Sequence, residues 1–356
     1  MGWKHWAAGC IGAVIIGSGV WLYNDGTSTK SGKVEIFQGA SLQQITTLLE
    51  DYGIVDNGDN FYYYLKVKMI IHEKVTGESL DYVIKQGKYD LKADRWSGLM
   101  QQLEKGPSER GQTFTVTVPE GNNVEDIADI LHKENIVQRQ AFLQYVQDPK
   151  VYRQLRKKYT WLPEYNADKR FQLEGYLHAN TYYLGSARTV ESIVDMMLQE
   201  TDALYKRNAD LIKKTGLTFD QVLTMASIVE KESKLDADRP KVAQVFYNRL
   251  KAGMKLQSDI TAIYALGKHK VMLSHQDIAV ESPFNTYVVD GLPIGPINSP
   301  SRSAIRGVLL PAGEKFTAMY FYARPNGETF YAQTFEEHKK FIQQYRNEWV
   351  QLEKKS

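Results

Sequence analysis

The stretch from Leu223 to Asp259 reads LTMASIVEKESKLDADRPKVAQVFYNRLKAGMKLQSD, and it predicts two amphipathic helices joined by a short acidic bend. Thr218 opens a capping box ahead of the first helix, and Pro240 lies in the first turn of the second. The first helix ends in Glu230–Glu232, the triplet E-K-E. Because a carboxylic acid on the flank of an apolar helix can stay protonated at neutral pH, this stretch predicts a site for acid/base chemistry.

The helix geometry does not choose between the two glutamates of this triplet. Glu230 and Glu232 fall about 160° apart on a helical wheel, each about 80° from the centre of the apolar stripe. Two exposed glutamates with no function are the alternative interpretation. In the second helix Asn248 lies beside the buried face, and Asp259 either caps a helix over Ile260–Leu266 or serves as a second acid.

Composition and motifs exclude several classes of protein. The 356 residues suffice for two domains, and a net charge of +2 without a dense Lys/Arg run makes no case for nucleic acid. Cys10 is the only cysteine, so no disulfide can form within the chain and a thiol enzyme is excluded. The sequence has no HExxH, no G-x-S-x-G and no complete phosphate loop, so no metal or cofactor is predicted.

An uncharged stretch near the amino terminus predicts a membrane anchor. Trp6–Tyr23 has 18 residues, which as a helix span roughly 27 Å against a hydrocarbon core of about 30 Å. A cleaved signal peptide is the alternative, but no small-x-small cleavage site follows. We therefore expect a cytoplasmic tail at 1–5, a single transmembrane helix at 6–23 and a linker at 24–33, with the orientation hardly set by charge.

The amino-terminal half contains an internal repeat. Val34–Val55 and Val116–Val137 align without gaps, and each shows strand residues, a glycine turn, a capping polar residue and apolar positions at helical spacing. Each helix is followed by a stop, Gly53 in one copy and Asn135 in the other. We predict a small α+β module over 34–150 that binds glycan or peptide or serves as a spacer, followed by a mixed α+β domain over 151–356.

The carboxyl-terminal domain supplies further polar candidates. Glu174 lies in a loop-to-strand setting that suits the lining of a polar site, and Gly291–Pro300 is a rigid Pro/Gly loop that contains Asn298. Tyr320–Ala323 and Thr329–Ala332 predict a hairpin, which a helix over 335–352 follows.

Several ordered blocks carry a family resemblance. Ala226–Glu232, Val242–Leu250, Leu256–Tyr264 and Asn285–Ile297 resemble the MltG/YceG-like endolytic murein transglycosylases. Leu173–Leu177 and the pair Glu337-His338 do so as well, and the resemblance covers nearly the whole chain.

The resemblance implies a single-pass protein of the inner membrane, with its amino terminus cytoplasmic and a LysM-like module and catalytic domain in the periplasm. It implies cleavage of the β-1,4 bond between MurNAc and GlcNAc in nascent peptidoglycan, which leaves 1,6-anhydroMurNAc ends and terminates glycan elongation. Penicillin-binding synthases are the implied partners. The catalytic glutamate of the family corresponds to Glu232, and Glu230 becomes a supporting residue. The candidate substrate-binding residues are Glu174, Asn248, Gln257, Asp259, Tyr287 and Asn298.

Three positions depart from the family pattern. Asn180 stands where an aspartate is usual, so we expect no charged function at that position. Ile294 stands where a proline is usual and Ser301 where a glycine is usual, so we expect the Pro/Gly loop to loosen. The rival class of protein is a non-catalytic peptidoglycan-binding scaffold of the elongation or division machinery, which would have no need of Glu232.

Overall fold

The chain has a mixed α+β fold, which confirms the predicted class. The computed structural model describes residues 26–28, 30–36, 40–108, 114–184, 189–268, 270 and 273–353. The predicted anchor Trp6–Tyr23 lies outside these residues. Among the helices that fall inside them, none combines the length and the hydropathy that a bilayer span requires.

The chain divides into two compact units. Unit 1 comprises Met1–Thr115 and Tyr183–Arg188, and unit 2 comprises Val116–Tyr182 and Thr189–Ser356. The predicted domain boundary at residue 150 therefore lies inside unit 2. The second copy of the repeat begins at Val116, so the two copies belong to different units.

Unit 1 is built on a strand–helix–helix–strand order. Its elements are β1 (Gly32–Ile36), α1 (Leu42–Asp51), α2 (Gly58–Thr76), β2 (Gly87–Leu91) and α3 (Trp96–Lys105). The two strands are antiparallel, with Gly32 opposite Leu91 and Ile36 opposite Gly87. Apolar residues of the strands pack with those of the three helices into one core, as expected when each element buries one face.

The described residues of the predicted linker from Gly26 onward contact the rest of unit 1. The carbonyl of Gly26 accepts a hydrogen bond from the Trp96 amide at 2.7 Å, and Thr27 forms an isolated antiparallel bridge with Arg95. A Cβ atom on Gly26 would lie 2.5 Å from the Trp96 ring. Only glycine therefore lets the chain pass this close to the indole.

The two copies of the repeat have the same local structure. Ser41 begins α1, and Asn123 begins α4 (Val124–Lys133), each with a complete capping box. Both stops adopt left-handed backbone, with φ of 65° at Gly53 and 55° at Asn135. Asparagine tolerates that region better than other non-glycine residues, which explains why the two stop signals are interchangeable.

The remaining elements follow in chain order. They are β3 (Phe114–Val118), α5 (Arg139–Gln147), α6 (Pro149–Lys158), β4 (Asn180–Leu184), α7 (Val190–Thr215), α8 (Phe219–Glu232), α9 (Arg239–Lys251), α10 (Asp259–Leu266), α11 (His275–Ile278), α12 (Arg302–Leu309), β5 (Tyr320–Ala323), β6 (Thr329–Ala332) and α13 (Phe335–Glu353). Strands β3 and β4 pair with each other, and β5 and β6 form the predicted hairpin.

Helix α8 is the central element of unit 2. Phe219 and every residue from Val222 to Val229 are buried, and the helix packs against α7, α9, α10 and α12. The predicted capping box at Thr218 is confirmed, with Gln221 as its partner. This helix is enclosed on several sides, and its last residue is Glu232.

Candidate active site

Glu232 is the last residue of α8 and the centre of the site. Glu232 is partly exposed. Its Oε1 atom accepts a hydrogen bond from Ser258 Oγ at 2.5 Å. No other hydrogen bond to this carboxyl is found among the described residues. One oxygen is thus held by the protein, which leaves the second oxygen available to a ligand.

The surroundings of Glu232 favour its protonated form. Burial raises the pKa of Glu232 from its ordinary value of 4.5 to about 7. The hydrogen bond from Ser258 and the positive charge of Arg249 act in the opposite direction, while the negative charge of Asp259 raises the pKa further. The carboxyl end of α8 also carries the negative pole of the helix dipole, which disfavours a carboxylate there. Glu232 can therefore carry a proton at neutral pH and release it.

Ser258 lies at the N-cap position of α10, but its hydroxyl bonds Glu232 and makes no capping bond. Its own amide donates to the Thr286 hydroxyl at 3.0 Å. The helix begins at Asp259 itself, so the prediction that Asp259 caps this helix is wrong. The helix thus lacks a capping bond that would stabilise it by about 1 kcal/mol, because the Ser258 hydroxyl binds the Glu232 carboxyl group instead.

Gln257, next to Ser258, has a left-handed backbone with φ of 48°. Its amide donates to the Thr286 carbonyl at 3.1 Å, and its side chain is exposed. Such backbone in a non-glycine residue costs of order 1 kcal/mol or more and concentrates at functional sites. Here it turns the chain so that Ser258 faces Glu232.

Asp259 and Tyr287 lie on the solvent side of the site. The Tyr287 hydroxyl donates to Asp259 Oδ1 at 2.5 Å, and burial together with that bond raises the pKa of Tyr287. Asp259 is exposed, and its charge acts on Glu232. The structure thus brings together four of the predicted residues: Glu232, Gln257, Asp259 and Tyr287.

Arg249 supplies a buried positive charge to the site. Its Nε donates to the Met319 carbonyl at 2.7 Å, and its Nη1 donates to the Leu256 carbonyl at 2.6 Å. The guanidinium also lies over the ring of Tyr320, 5.0 Å from the centroid. Because Leu256 directly precedes Gln257, Arg249 fixes the start of the turn that presents Ser258.

Glu230 has a different environment from Glu232. It accepts from Arg239 Nη2 at 3.0 Å and from the amide and hydroxyl of Ser301. Both ion-pair partners have side chains that are about 10% exposed or less. Ser301 is the N-cap of α12, so the expectation that it loosens the loop is wrong. Its hydroxyl instead ties the loop to α8, as a glycine could not.

Three other predicted residues have their polar groups engaged inside the protein. Glu174 is 3% exposed and accepts from the Val124 amide and the Tyr264 hydroxyl, and burial raises its pKa to about 8. Asn248 donates to two carbonyls of the segment that leads into β5. Asn298 is 1% exposed and donates to the Ser227 carbonyl. These contacts stabilise the fold, and a role for the three residues in sugar binding stays a prediction.

Sequence reasoning missed Ser258 and Arg249. Ser258 lies in the block Leu256–Tyr264, but a serine before the start of a helix is the usual pattern of an N-cap. Arg249 lies beside the buried face of its helix, and the sequence pattern does not identify the carbonyl groups that it binds. Within the described ranges, no group of three or more His, Cys, Asp and Glu side chains could hold a metal ion.

Replacing Ser258 with alanine is expected to lower kcat by about 10- to 100-fold, the loss that follows from removing a hydrogen bond to a charged group. Since the Ser258 hydroxyl lowers the pKa of Glu232, the alkaline limb of the rate profile should also move to higher pH. Steady-state rates across pH 5–9 measure both effects. Ser258→Thr keeps a hydroxyl and is the control, and an unmoved alkaline limb in Ser258→Ala would contradict this role.

The geometry defines a class of protein: an enzyme with one proton-exchanging carboxyl, flanked by polar groups, at the end of a buried helix. The chain belongs to the YceG-like family, whose profile matches residues 34–344. The family resemblance drawn from the sequence blocks is therefore confirmed.

Relatives with assigned names extend this result. An endolytic murein transglycosylase of Bacillus subtilis strain 168 is 31% identical over 341 residues, which cover 94% of this chain and 90% of the relative. The endolytic murein transglycosylases of two Streptococcus pneumoniae strains are 35% identical over 343 residues, and the alignment spans 91% of this chain and 60% of theirs. A crystal structure of a YceG-like protein from Listeria monocytogenes matches with a TM-score of 0.61 at 31% identity, over 88% of this chain and 99% of that one.

Proposed function

We propose that this chain is a peptidoglycan lytic transglycosylase that cleaves the β-1,4 bond between MurNAc and GlcNAc within glycan strands. The observation that carries the proposal is Glu232, a carboxyl with a pKa near 7 and one oxygen held by Ser258. A group with that pKa can donate a proton and take one back at neutral pH. The names of the relatives supply the substrate.

In the first half of the reaction Glu232 acts as the acid. Because Ser258 donates to Oε1, the proton of the neutral carboxyl resides on Oε2 and points away from Ser258. That proton passes to the glycosidic oxygen as the bond from MurNAc C1 to this oxygen breaks, and GlcNAc leaves as an alcohol. The positive character that develops at C1 is then open to attack.

In the second half Glu232 acts as the base. The C6 hydroxyl of the same MurNAc attacks C1, a C1–O6 bond forms, and the hydroxyl proton passes to the Glu232 carboxylate. This step yields a 1,6-anhydro end and regenerates the acid without water. Ser258 and the charge of Arg249 stabilise the transient carboxylate, since both lower the pKa of Glu232.

The proposal includes the setting of the enzyme. We place Trp6–Tyr23 as a single anchor in the cell membrane, with both units on the outer side of that membrane, the periplasm where an outer membrane is present. The strand–helix–helix–strand order of unit 1 supports a LysM-like glycan-binding role for that unit. Such an arrangement suits an enzyme that meets nascent strands and works beside penicillin-binding synthases.

The ends of the products test the reaction. Purified glycan strands incubated with the full chain should yield fragments that terminate in 1,6-anhydroMurNAc, detected by mass as a loss of one water relative to reducing ends. Reducing ends would overturn the transglycosylase and indicate a hydrolase, with Asp259 as the candidate second carboxylate. No product under any condition would favour the non-catalytic scaffold.

A further inference from the structure

We propose that helix α2 of unit 1 lies on the outer surface of the membrane, with an outward apolar stripe in contact with lipid. The stripe consists of Tyr63, Val67, Ile70, Ile71 and Val75. This inference rests on the proposed anchor at Trp6–Tyr23 and goes beyond the reaction at Glu232.

Helix α2 carries apolar residues both inside and outside the core of unit 1. Phe61, Tyr64 and Leu65 are buried in the core of unit 1, as expected for a packed helix. The stripe covers an arc of about 140° on the helical wheel, and the buried residue Tyr64 lies near one edge of that arc. The core contacts end at Leu65, so the stripe residues that follow extend beyond the packed part of the helix. Most helices of soluble domains carry charged and polar side chains where they extend beyond a core, so these apolar residues require another explanation.

The stripe is exposed to solvent. Tyr63 is 63% exposed, Ile70 is 52% exposed and Val75 is 78% exposed. Within the described ranges the exposed isoleucines and valines are Ile70, Ile71, Val75 and Val83, all from α2 and the loop that follows it. An open cavity of about 650 Å³ beside the carboxyl-terminal half of α2 leaves Ile71 and Val75 uncovered along its wall. Exposed aliphatic residues collected in one place indicate a surface that another apolar phase covers.

The chain path puts this helix close to the membrane. Two residues separate Gly26 from the end of the predicted anchor at Tyr23, and the three steps of an extended chain between them reach about 10 Å. Gly26 is fixed to the backbone of Trp96. The Trp96 ring lies 5.4 Å from the rings of Phe61 and Tyr64 on α2. Only the Trp96 side chain therefore lies between the first half of α2 and Gly26, which is close to the point where the chain would leave the bilayer.

Charge does not drive the contact. Lys74 is the single charged residue within the arc of the stripe. Lys68 lies along one border, and Lys66 and Glu73 lie along the other. Lysines of α2 are balanced by acidic residues of the same helix and the following loop. We infer that apolar insertion dominates, in the manner of a helix lying in the interfacial plane, and that anionic lipid adds little.

A pair of site-specific probes tests this placement. In the full chain with Cys10→Ser, Val75→Cys and Glu73→Cys each receive an environment-sensitive fluorophore, and the proteins are reconstituted into phosphatidylcholine vesicles with or without phosphatidylglycerol. The two positions are about 160° apart on the same turn of α2. A probe at either position therefore reports on the same folded helix, but the two probes point to opposite sides of it. We expect the Val75 probe to shift to shorter wavelength and to be quenched by lipids with brominated acyl chains. The Glu73 probe should be quenched by aqueous iodide.

Both lipid compositions should give the same result. Equal quenching of the two probes by iodide would overturn the proposal, as would failure of the chain to float with the vesicles. A blue shift at Val75 that brominated lipids do not quench would assign the stripe to a protein surface, and it would also overturn lipid contact. None of these outcomes depends on cleavage of glycan strands.

Discussion

Glutamine in place of Glu232 is expected to lower kcat on glycan strands by about 10²–10⁴-fold, the range for loss of a general acid/base. Glutamine keeps the size of the side chain, and its carbonyl can still accept from Ser258. It can neither deliver a proton to the departing GlcNAc oxygen nor remove one from the C6 hydroxyl. Since both half-reactions use the same carboxyl, KM should change far less than kcat.

The same substitution should stabilise the protein at alkaline pH. The folded state holds the Glu232 proton up to a pKa of about 7, whereas an unfolded glutamate ionises near its ordinary value of 4.5. Stability is therefore lost as pH rises from the unfolded pKa through the folded one, by up to about 3 kcal/mol. Glu232→Gln removes that loss, so its free energy of unfolding should exceed that of the wild type at pH 8 and match it at pH 4.

Urea denaturation at the two pH values and product analysis measure these effects on the same preparations. An inactive variant that is also destabilised at pH 8 would indicate a structural role for Glu232. A variant that keeps more than about a tenth of the wild-type kcat would remove Glu232 from the chemistry, since general acid/base catalysis contributes far more.

Local signals in the sequence were sufficient for much of the fold. The strands β5 and β6 agree with their predicted bounds, because the Pro325-Asn326-Gly327 turn separates them. The division of the chain at residue 115 was not predicted. The repeat suggested one module, and a repeat in sequence does not specify which core each copy joins.

The site was harder to predict than the fold because its contacts join residues that are far apart in the sequence. Glu230 and Glu232 have equivalent positions on a helical wheel, and what separates them is Ser301 on one side and Ser258 on the other. Neither serine is within twenty residues of the helix end. The buried carboxyl of Glu174, which binds the start of α4, likewise became visible only in three dimensions.

Glutamine in place of Glu230 is expected to lower the free energy of unfolding by about 3–5 kcal/mol, the usual cost of removing one partner from a buried ion pair. Arg239 would keep its ion pair with the exposed Asp236 at 2.7 Å. We therefore expect the loss of unfolding free energy to lie toward the lower end of this range. The Arg239 Nε already has no hydrogen-bond partner within the described part of the chain. Loss of the Glu230 charge therefore leaves a buried guanidinium poorly compensated.

Two variants make this prediction specific to the ion pair. Glu232→Gln is the same chemical change two residues away and should act in the opposite direction at pH 8. Combining Glu230→Gln with Arg239→Met removes both charges and should recover most of the lost stability, because an uncharged pair needs no compensation. Midpoints of urea denaturation at pH 8 distinguish the three proteins. If Glu230→Gln were neutral, the connection of α8 to the start of α12 would have to be carried by Ser301 and apolar packing alone.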